Sequence, residues 1–362
     1  MTAVARGDEL ATALEDFLQI QLGSRPVIRD LQESSAGARR RNVFFTLRNG
    51  RDEARLVATI IPTAAIQQNP IPAEAAIRTL ARANGVPVPA TFAVCDDESF
   101  VGGPFFVSER VDGETIPRRV LRLVADLGIG EVLAAQMAAA FARLHSIDPD
   151  LAPPDLLSSS LLGTGLVAAT TPASKDPTGA TDPARAALAQ LDEIMDLLPQ
   201  PRPALRLGLR WLWQNLPPPP ARLTLVHSDI RVGNVIVGPD GLRAILDWEG
   251  ARRDGDPMED LAWPALRMWR FRNDDREIGG LAGRDTLVRA YEEAGGSFDL
   301  DRFRWWKALG TLRWGLGLAG QAAAHLDGRF RSVVMAASGR RVPELEWDLL
   351  MLIRPQGHQN TV

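Results

Sequence analysis

The most restrictive feature of this chain is a run of strand and turn signals that closes on a carboxylate. Thr224 to His227 reads as a strand, Ser228 to Asn234 as a polar loop and Val235 to Val237 as a second strand. Gly238-Pro-Asp-Gly241 is the turn, and Leu242 to Leu246 returns as a third strand that stops at Asp247. Folding the hairpin back brings Asn234 and Asp247 together at one end, close to Asp229. Phosphoryl transfer needs such a set. One carboxylate orients and deprotonates an attacking hydroxyl, and two oxygen ligands hold Mg²⁺ on nucleotide phosphates.

The spacing narrows this further. His227, Asp229 and Asn234 keep the H-x-D-x-x-x-x-N interval of a kinase catalytic loop, with basic Arg231 two residues after the Asp. Asp247 falls 13 positions past Asn234, at the place of the metal-binding Asp on the next strand. An ordinary hairpin with a polar loop accounts for the strands, but not for spacing, residue types and strand context together.

On these residues the chain resembles the aminoglycoside phosphotransferase family of small-molecule kinases. The likeness rests on HSDIRVGN (227–234), ILDWEGA (245–251) and Gly255-Asp-Pro-Met-Glu-Asp-Leu-Ala262. It extends upstream to Glu74, Gly85-Val-Pro-Val-Pro89 and Gly103-Pro-Phe-Phe-Val-Ser-Glu-Arg-Val-Asp-Gly113. The branch it most resembles includes the kinase-like domains associated with acyl-CoA dehydrogenases. Ser228 stands where the family pattern usually has Gly. The resemblance implies an α+β, bilobal, protein-kinase-like fold: a small β-rich N-lobe with one main helix and a larger, mostly helical C-lobe. Residues 1–110 are then the nucleotide-binding lobe and 111–362 the catalytic and substrate-binding lobe.

Size and composition agree. A length of 362 residues suits two lobes, and 45% hydrophobic with 24% charged residues is the balance of a soluble globular protein. A net charge of −4 and a pI near 5.7 argue against a general nucleic-acid binder. The single cysteine, Cys95, reads as a small core residue, allows no internal disulfide and fits a reducing compartment. The first 22 residues carry acids inside their apolar pattern, so they read as an amphipathic helix rather than a signal peptide. With no run of 18 apolar residues, the expectation is a cytoplasmic protein with no membrane partner.

Along the chain, an early helix (about 8 to 22) precedes β-rich runs at Val43 to Arg48 and Arg55 to Ile61, joined by the hairpin signal Asn49-Gly50. A helix at about 73 to 84 and extended pieces at Thr91 to Val94 and Phe105 to Arg110 complete a β-β-α-β-β order. Helices follow at Glu131 to Ile147, 183 to 198 and 202 to 216, with a loop over Ser158 to Asp182. After the hairpin, helices are expected at about 257 to 272, 282 to 295, 299 to 326 and 343 to 353. All nine tryptophans lie between Trp211 and Trp347, which gives the second lobe the larger aromatic core.

The resemblance implies a small-lobe Lys or Arg that pairs with nucleotide phosphates and with a helix Glu. The aligned strand, Leu56 to Pro62, puts Thr59 at the basic position, and the only lysines are Lys175 and Lys307. Any anchor must therefore be an arginine. Arg55 shares a strand face with Thr59, and Arg48 and the run Arg39-Arg40-Arg41 are further candidates. The matching helix acid is Glu74, 11 residues before Gly85. The loop Ser34 to Asn42 has one glycine where close backbone approach to phosphate favours several. By resemblance, the backbone near Glu109 to Val111 hydrogen-bonds adenine.

In the large lobe Asp229 is the expected base, Arg231 neutralises charge on the phosphoryl group, and Asn234 and Asp247 hold Mg²⁺. Glu249 either acts on metal-bound water or braces the loop. Asp256 and Asp260 are expected to cap and brace the helix starting near Pro257, and His227 and His145 to be scaffold residues. A metal hydrolase built from His145, His227, Asp229 and Asp247 lacks ligand spacing.

The acceptor pocket should follow residue 257. From Ala251 onward there are 17 basic and 16 acidic residues, not the acidic excess that a polycationic aminoglycoside would favour. The basic, aromatic stretch Arg267 to Arg272 points instead to an apolar or anionic small molecule with a hydroxyl. The leading expectation is an ATP- or GTP-dependent small-molecule kinase. The alternative is a non-catalytic nucleotide- or ligand-binding pseudokinase, supported by Thr59 and the poor glycine loop and opposed by Asp229, Asn234 and Asp247. No A-P-E-like segment follows Asp247, which disfavours a protein substrate.

Overall fold

The computed structural model describes residues 7–34, 40–62, 68–156, 182–329 and 331–354. Arg39 and nearly all of the expected loop at 158 to 182 lie outside the described residues.

Alternation builds the small lobe. Strands β1 (Val27–Glu33), β2 (Arg41–Asn49), β3 (Asp52–Ile60), β4 (Thr91–Cys95) and β5 (Phe105–Glu109) form one antiparallel sheet ordered β1-β2-β3-β5-β4. Val43, Phe45 and Leu47 of β2 and Leu56, Ala58 and Ile60 of β3 face one way. They bury against Leu10, Leu14, Phe17 and Leu18 of helix α1 (Gly7–Leu22). The other face carries Asn42, Phe44, Val57 and Thr59, and helix α2 (Ile71–Ala83) packs at its β4–β5 end. The first strand was not anticipated. Its pairing with β2 shifts register between Arg29 and Gln32, Asp30 takes φ 53°, and the strand is mostly exposed, so no period-2 signal survives.

The large lobe runs α3 (Pro117–Leu127), α4 (Gly130–Ser146), α5 (Pro183–Asp196), α6 (Pro203–Gln214), β6 (Thr224–Val226), β7 (Val235–Gly238), β8 (Gly241–Ile245) and β9 (Arg252–Gly255). Then come α7 (Pro257–Ala262), α8 (Arg284–Glu293), α9 (Leu300–Leu326), α10 (Val333–Ser338) and α11 (Val342–Ile353). Proline opens α3, α5, α6 and α7, where its missing N–H costs nothing. Helix α3 was not expected; only Val120 and Val124 are buried in it.

The helix expected over 257 to 272 is corrected to α7 alone. Pro264 lacks the donor that would continue it, short 3₁₀ turns cover Trp263–Ala265 and Arg267–Arg270, and Phe271 and Arg272 adopt φ 49° and 76°. This break brings Trp263 and Trp269 into one cluster with Leu266.

The core of this lobe joins Leu133, Met137 and Phe141 of α4 to Phe303, Trp306 and Leu312 of α9 and to Val235, Val237 and Ile245 of the hairpin. The chain between lobes is stitched to that hairpin. Glu114 N donates to Val237 O at 2.8 Å and Val237 N to Glu114 O at 3.0 Å. A Cβ on Gly113 would lie 2.8 Å from Val237 O, so a side chain there would force the two segments apart. Among the described residues, no single helix is long and apolar enough to cross a membrane.

Candidate active site

Strands β7 and β8 pair antiparallel with Val235 opposite Ile245, and Leu246 N donates to Asn234 O at 2.8 Å. The residues on either side, Asn234 and Asp247, therefore meet at the open end of the hairpin. Strand β6 pairs with β9, which sequence reading did not foresee, and leads the loop with Asp229 to the same end.

The Asp229 carboxylate is nearly buried and fully engaged. Its Oδ1 accepts from Trp263 Nε1 at 2.6 Å and from Arg231 Nε at 3.3 Å, and its Oδ2 accepts from Asn234 Nδ2 at 2.7 Å. Burial pushes its pKa above the ordinary carboxylate value. The Arg231 charge and the Trp263 hydrogen bond pull the other way and moderate the rise. A carboxylate held on both oxygens is oriented before any substrate arrives.

The loop backbone is pinned from below by Asp260, whose side chain has 0% exposure. Its oxygens accept from His227 N at 2.8 Å and Ser228 N at 2.6 Å, and His145 Nε2 lies 3.2 Å away. Burial works against this charge, yet the hydrogen bond from His145 and that from the His227 amide hold its pKa below the usual range. His145 Nδ1 in turn meets the Tyr291 hydroxyl at 2.9 Å. His227 Nε2 lies 3.0 Å from Leu246 O while its Nδ1 accepts from Asp229 N at 3.2 Å, which assigns the proton to Nε2. Both histidines are scaffold residues. Asp256 caps α7, accepting from Met258 N at 2.9 Å, and takes Arg302 Nη1 at 2.8 Å.

Ser228, in the place of the family's usual Gly, has φ 70°, the left-handed conformation that glycine adopts freely. Its hydroxyl accepts from Arg252 Nη1 at 3.1 Å, and Arg252 also pairs with buried Glu259. Arg231 spreads over Trp269 with its guanidinium 4.5 Å from the ring centre. A Cβ on Gly233 would stand 2.2 Å from Arg231 Nη1, so glycine there leaves room for the guanidinium.

The donor set at the hairpin end fits Mg²⁺. Asn234 spends its Nδ2 on Asp229 O and Oδ2, which leaves its amide oxygen as the ligand atom, and Asp247 adds a half-exposed carboxylate at φ 64°. These are hard oxygens, as that ion requires. No trio of His, Cys, Asp and Glu among the described residues is arranged to hold a metal alone. A cation here would draw its remaining ligands from phosphates and water.

The small-lobe residues divide. Thr59 Oγ1 donates to Asn42 Oδ1 at 2.9 Å on the strand directly opposite. Arg55 turns to Asp112, with bonds of 2.9 and 2.5 Å, and stays on the surface. Arg48 bonds Gly50 O, and Arg41 bonds Glu33. Among the described candidates Arg40 alone meets Glu74, in a fork of two 2.8 Å bonds, and it continues to Glu249 Oε2 at 3.0 Å. Glu249 thus faces a small-lobe cation. Glu109 accepts from Arg82 and Ala90 N through its side chain, and its amide bonds Ala90 O. Val111 lies two residues on, in the link to the hairpin.

A sequence model of the phosphotransferase enzyme family matches residues 30–306. The chain belongs to that family. This phosphotransferase is 28% identical over 286 residues to acyl-CoA dehydrogenase family member 10 of Mus musculus. The match takes in 75% of the chain and 25% of the relative, so the chain spans about a quarter of that protein's length. Among solved structures it resembles a putative aminoglycoside phosphotransferase from Ralstonia eutropha, with TM-score 0.66 and 20% identity over 94% of this chain and 97% of that one. A thermostable aminoglycoside phosphotransferase mutant in ternary complex with AMP-PNP and hygromycin B aligns with TM-score 0.54 and 19% identity, over 93% and 99%. At such identities the structures show a shared fold. The phosphotransferase therefore has the bilobal kinase-like architecture that its motifs implied.

Sequence reading missed Trp263, and it noticed Trp269 only as part of the basic, aromatic stretch Arg267 to Arg272. Their place beside Asp229 depends on the break after Ala262. The sequence signal for it was Pro264.

Proposed function

We propose that this phosphotransferase moves the γ-phosphoryl group of ATP or GTP to a hydroxyl of a small molecule. The observation that carries the reading is the Asp229 carboxylate, oriented by Asn234, Trp263 and Arg231 at the hairpin end that also presents Asp247. The acceptor oxygen bonds to phosphorus as the bond from phosphorus to the β–γ bridging oxygen breaks. The hydroxyl proton goes to Asp229, and the nucleoside diphosphate leaves with the electron pair. Arg231 faces the charge on the moving group. Mg²⁺ held by Asn234 and Asp247 would neutralise phosphate charge. Glu109 and Val111 are assigned to the adenine-facing backbone, Thr59 and Arg55 to the rim of the nucleotide site, and Glu74 to its support.

The acceptor is read as a hydroxylated small molecule with an apolar or anionic body. In the basic stretch that raised an anionic alternative, Arg267 is paired with Asp274 and Asp348, and Arg270 is spent on the carbonyls of Ala265 and Asp274. Arg272 of the same stretch is exposed, and beside Asp229 the rings of Trp263, Trp269 and Trp314 form an aromatic group with centroids 5.1 to 6.0 Å apart in which Trp263 and Trp269 are buried.

The test is Mg²⁺-dependent production of nucleoside diphosphate across a panel of hydroxylated compounds. Asp229→Asn should keep nucleotide binding and lose turnover by about a thousand-fold. Equal turnover in that variant removes the base assignment. Nucleotide binding without turnover of any acceptor by the wild type favours the pseudokinase.

A further inference from the structure

The small lobe of a kinase-like fold needs one cation that reaches the nucleotide phosphates, and β3 does not supply it. Thr59 fills that place, and its hydroxyl is committed to Asn42. The replacement has to come from a neighbouring segment on the same face of the sheet.

Register names the segment. Asn42 is the direct cross-strand partner of Thr59, and the side chain two residues before it points to the same face. That side chain is Arg40. It is 13% exposed and makes the two-bond fork to Glu74, which is itself 1% exposed. A buried ion pair is costly to desolvate, and hydrophobic residues of similar size often serve stability as well. This pair also does not end within its lobe. Arg40 Nη2 lies 3.0 Å from Glu249 Oε2, and Arg40 Nε is 3.9 Å from Asp247 Oδ1, so the guanidinium reaches across to the large lobe beside Asp247, one of the two residues assigned to the cation.

We propose that Arg40 is the phosphate anchor of the small lobe, delivered from the approach to β2 instead of from β3, with Glu74 as the residue that positions it. The assignment rests on the kinase reading and completes its nucleotide site. Arginine is the residue the geometry calls for. Its planar fork holds Glu74 through two parallel bonds from Nη1 and Nη2 while Nε of the same guanidinium reaches Glu249 Oε2 at 3.2 Å, a geometry that a single lysine ammonium does not match. Among the described residues, the other cation near Glu74 is turned away: Arg78 lies over the Phe106 ring, 4.1 Å from its centre, and donates to Pro89 O at 3.4 Å.

The experiment is a calorimetric titration of the full chain and its variants with MgATP, MgGTP and adenosine, alongside their melting temperatures. Arg40→Ala should weaken the triphosphate that the wild type binds by about ten-fold or more and leave adenosine within about two-fold. Arg40→Lys, which keeps a cation against Glu74 and so protects the fold, should weaken that triphosphate by about three-fold or more at an unchanged melting temperature. Adding Thr59→Lys to Arg40→Ala should restore part of the triphosphate affinity, a gain that a purely structural role does not explain. Wild-type triphosphate affinity in folded Arg40→Ala or Arg40→Lys overturns the assignment alone, as does an equal loss for adenosine. A wild-type chain that binds neither triphosphate overturns the kinase reading and the anchor with it.

Discussion

The two sides of the proposed nucleotide site solve the same electrostatic problem by different means. On the large-lobe side, Asp229, Asn234 and Asp247 stand at fixed intervals on a loop and hairpin, and backbone bonds such as Leu246 N to Asn234 O set their spacing. On the small-lobe side the sheet is intact, yet the cation that meets Glu74 reaches it from Arg40, ahead of β2. Groups that must be placed by the main chain keep their positions in the sequence. A charge at the end of a long, forked side chain can be supplied from a neighbouring strand, because side-chain reach covers the difference.

That contrast can be broken first at its most rigid point. Asp260→Asn places an NH₂ group against the amides of His227 and Ser228, and should cost about 3 kcal/mol in chemical denaturation and most of the turnover. The Asp260 contribution has a defined pH dependence. A carboxylate with a depressed folded-state pKa stabilises above its unfolded value near 4, and that stability is lost as pH falls through the folded value. A variant as stable as the wild type at pH 7 would show that the loop is not held from below.

The next test concerns the ionisation of Asp229. Trp263→Phe removes a bond that favours its charged form, so the acid limb of the pH–rate profile should move to higher pH and turnover should fall by about ten-fold. A limb that stays put or moves down contradicts this. The smallest effect is expected from Ser228→Gly. Relief of left-handed strain at φ 70° is offset by loss of the hydroxyl bond to Arg252 and by the flexibility of glycine. Stability should change by less than about 1 kcal/mol, with turnover within about two-fold; a larger loss would assign the Ser228 hydroxyl a role in holding Arg252.

The same contrast explains what could be read in the sequence. The hairpin was legible because its chemistry is local: the turn at 238 to 241 forces Asn234 and Asp247 together whatever the rest of the chain does. Residue roles that depend on helix ends were half legible. Asp256 was read as a cap and is one, whereas Asp260 braces the loop that carries Asp229 more than its own helix. Trp263 was not legible as a partner of Asp229, because a continuous helical period through 257 to 272 hides the break at Pro264 that turns it inward. The small-lobe cation was narrowed to a handful of arginines, no further. Face alternation ranked Arg55 first, but Asp112 in the link between lobes, distant in sequence, holds it. Period and spacing carry no information about which acid a long side chain finds.

The anchorage of the loop that carries Asp229 has a dynamic consequence. The amides of His227 and Ser228 end on a carboxylate sealed from water, which is bonded through His145 to α4 and onward to Tyr291 of α8. Such a segment has no shallow opening motion of its own, so its amide protons exchange with deuterium only when the surrounding helices separate. Heat would then abolish catalysis and the large lobe in a single transition, with no inactive but folded form between them.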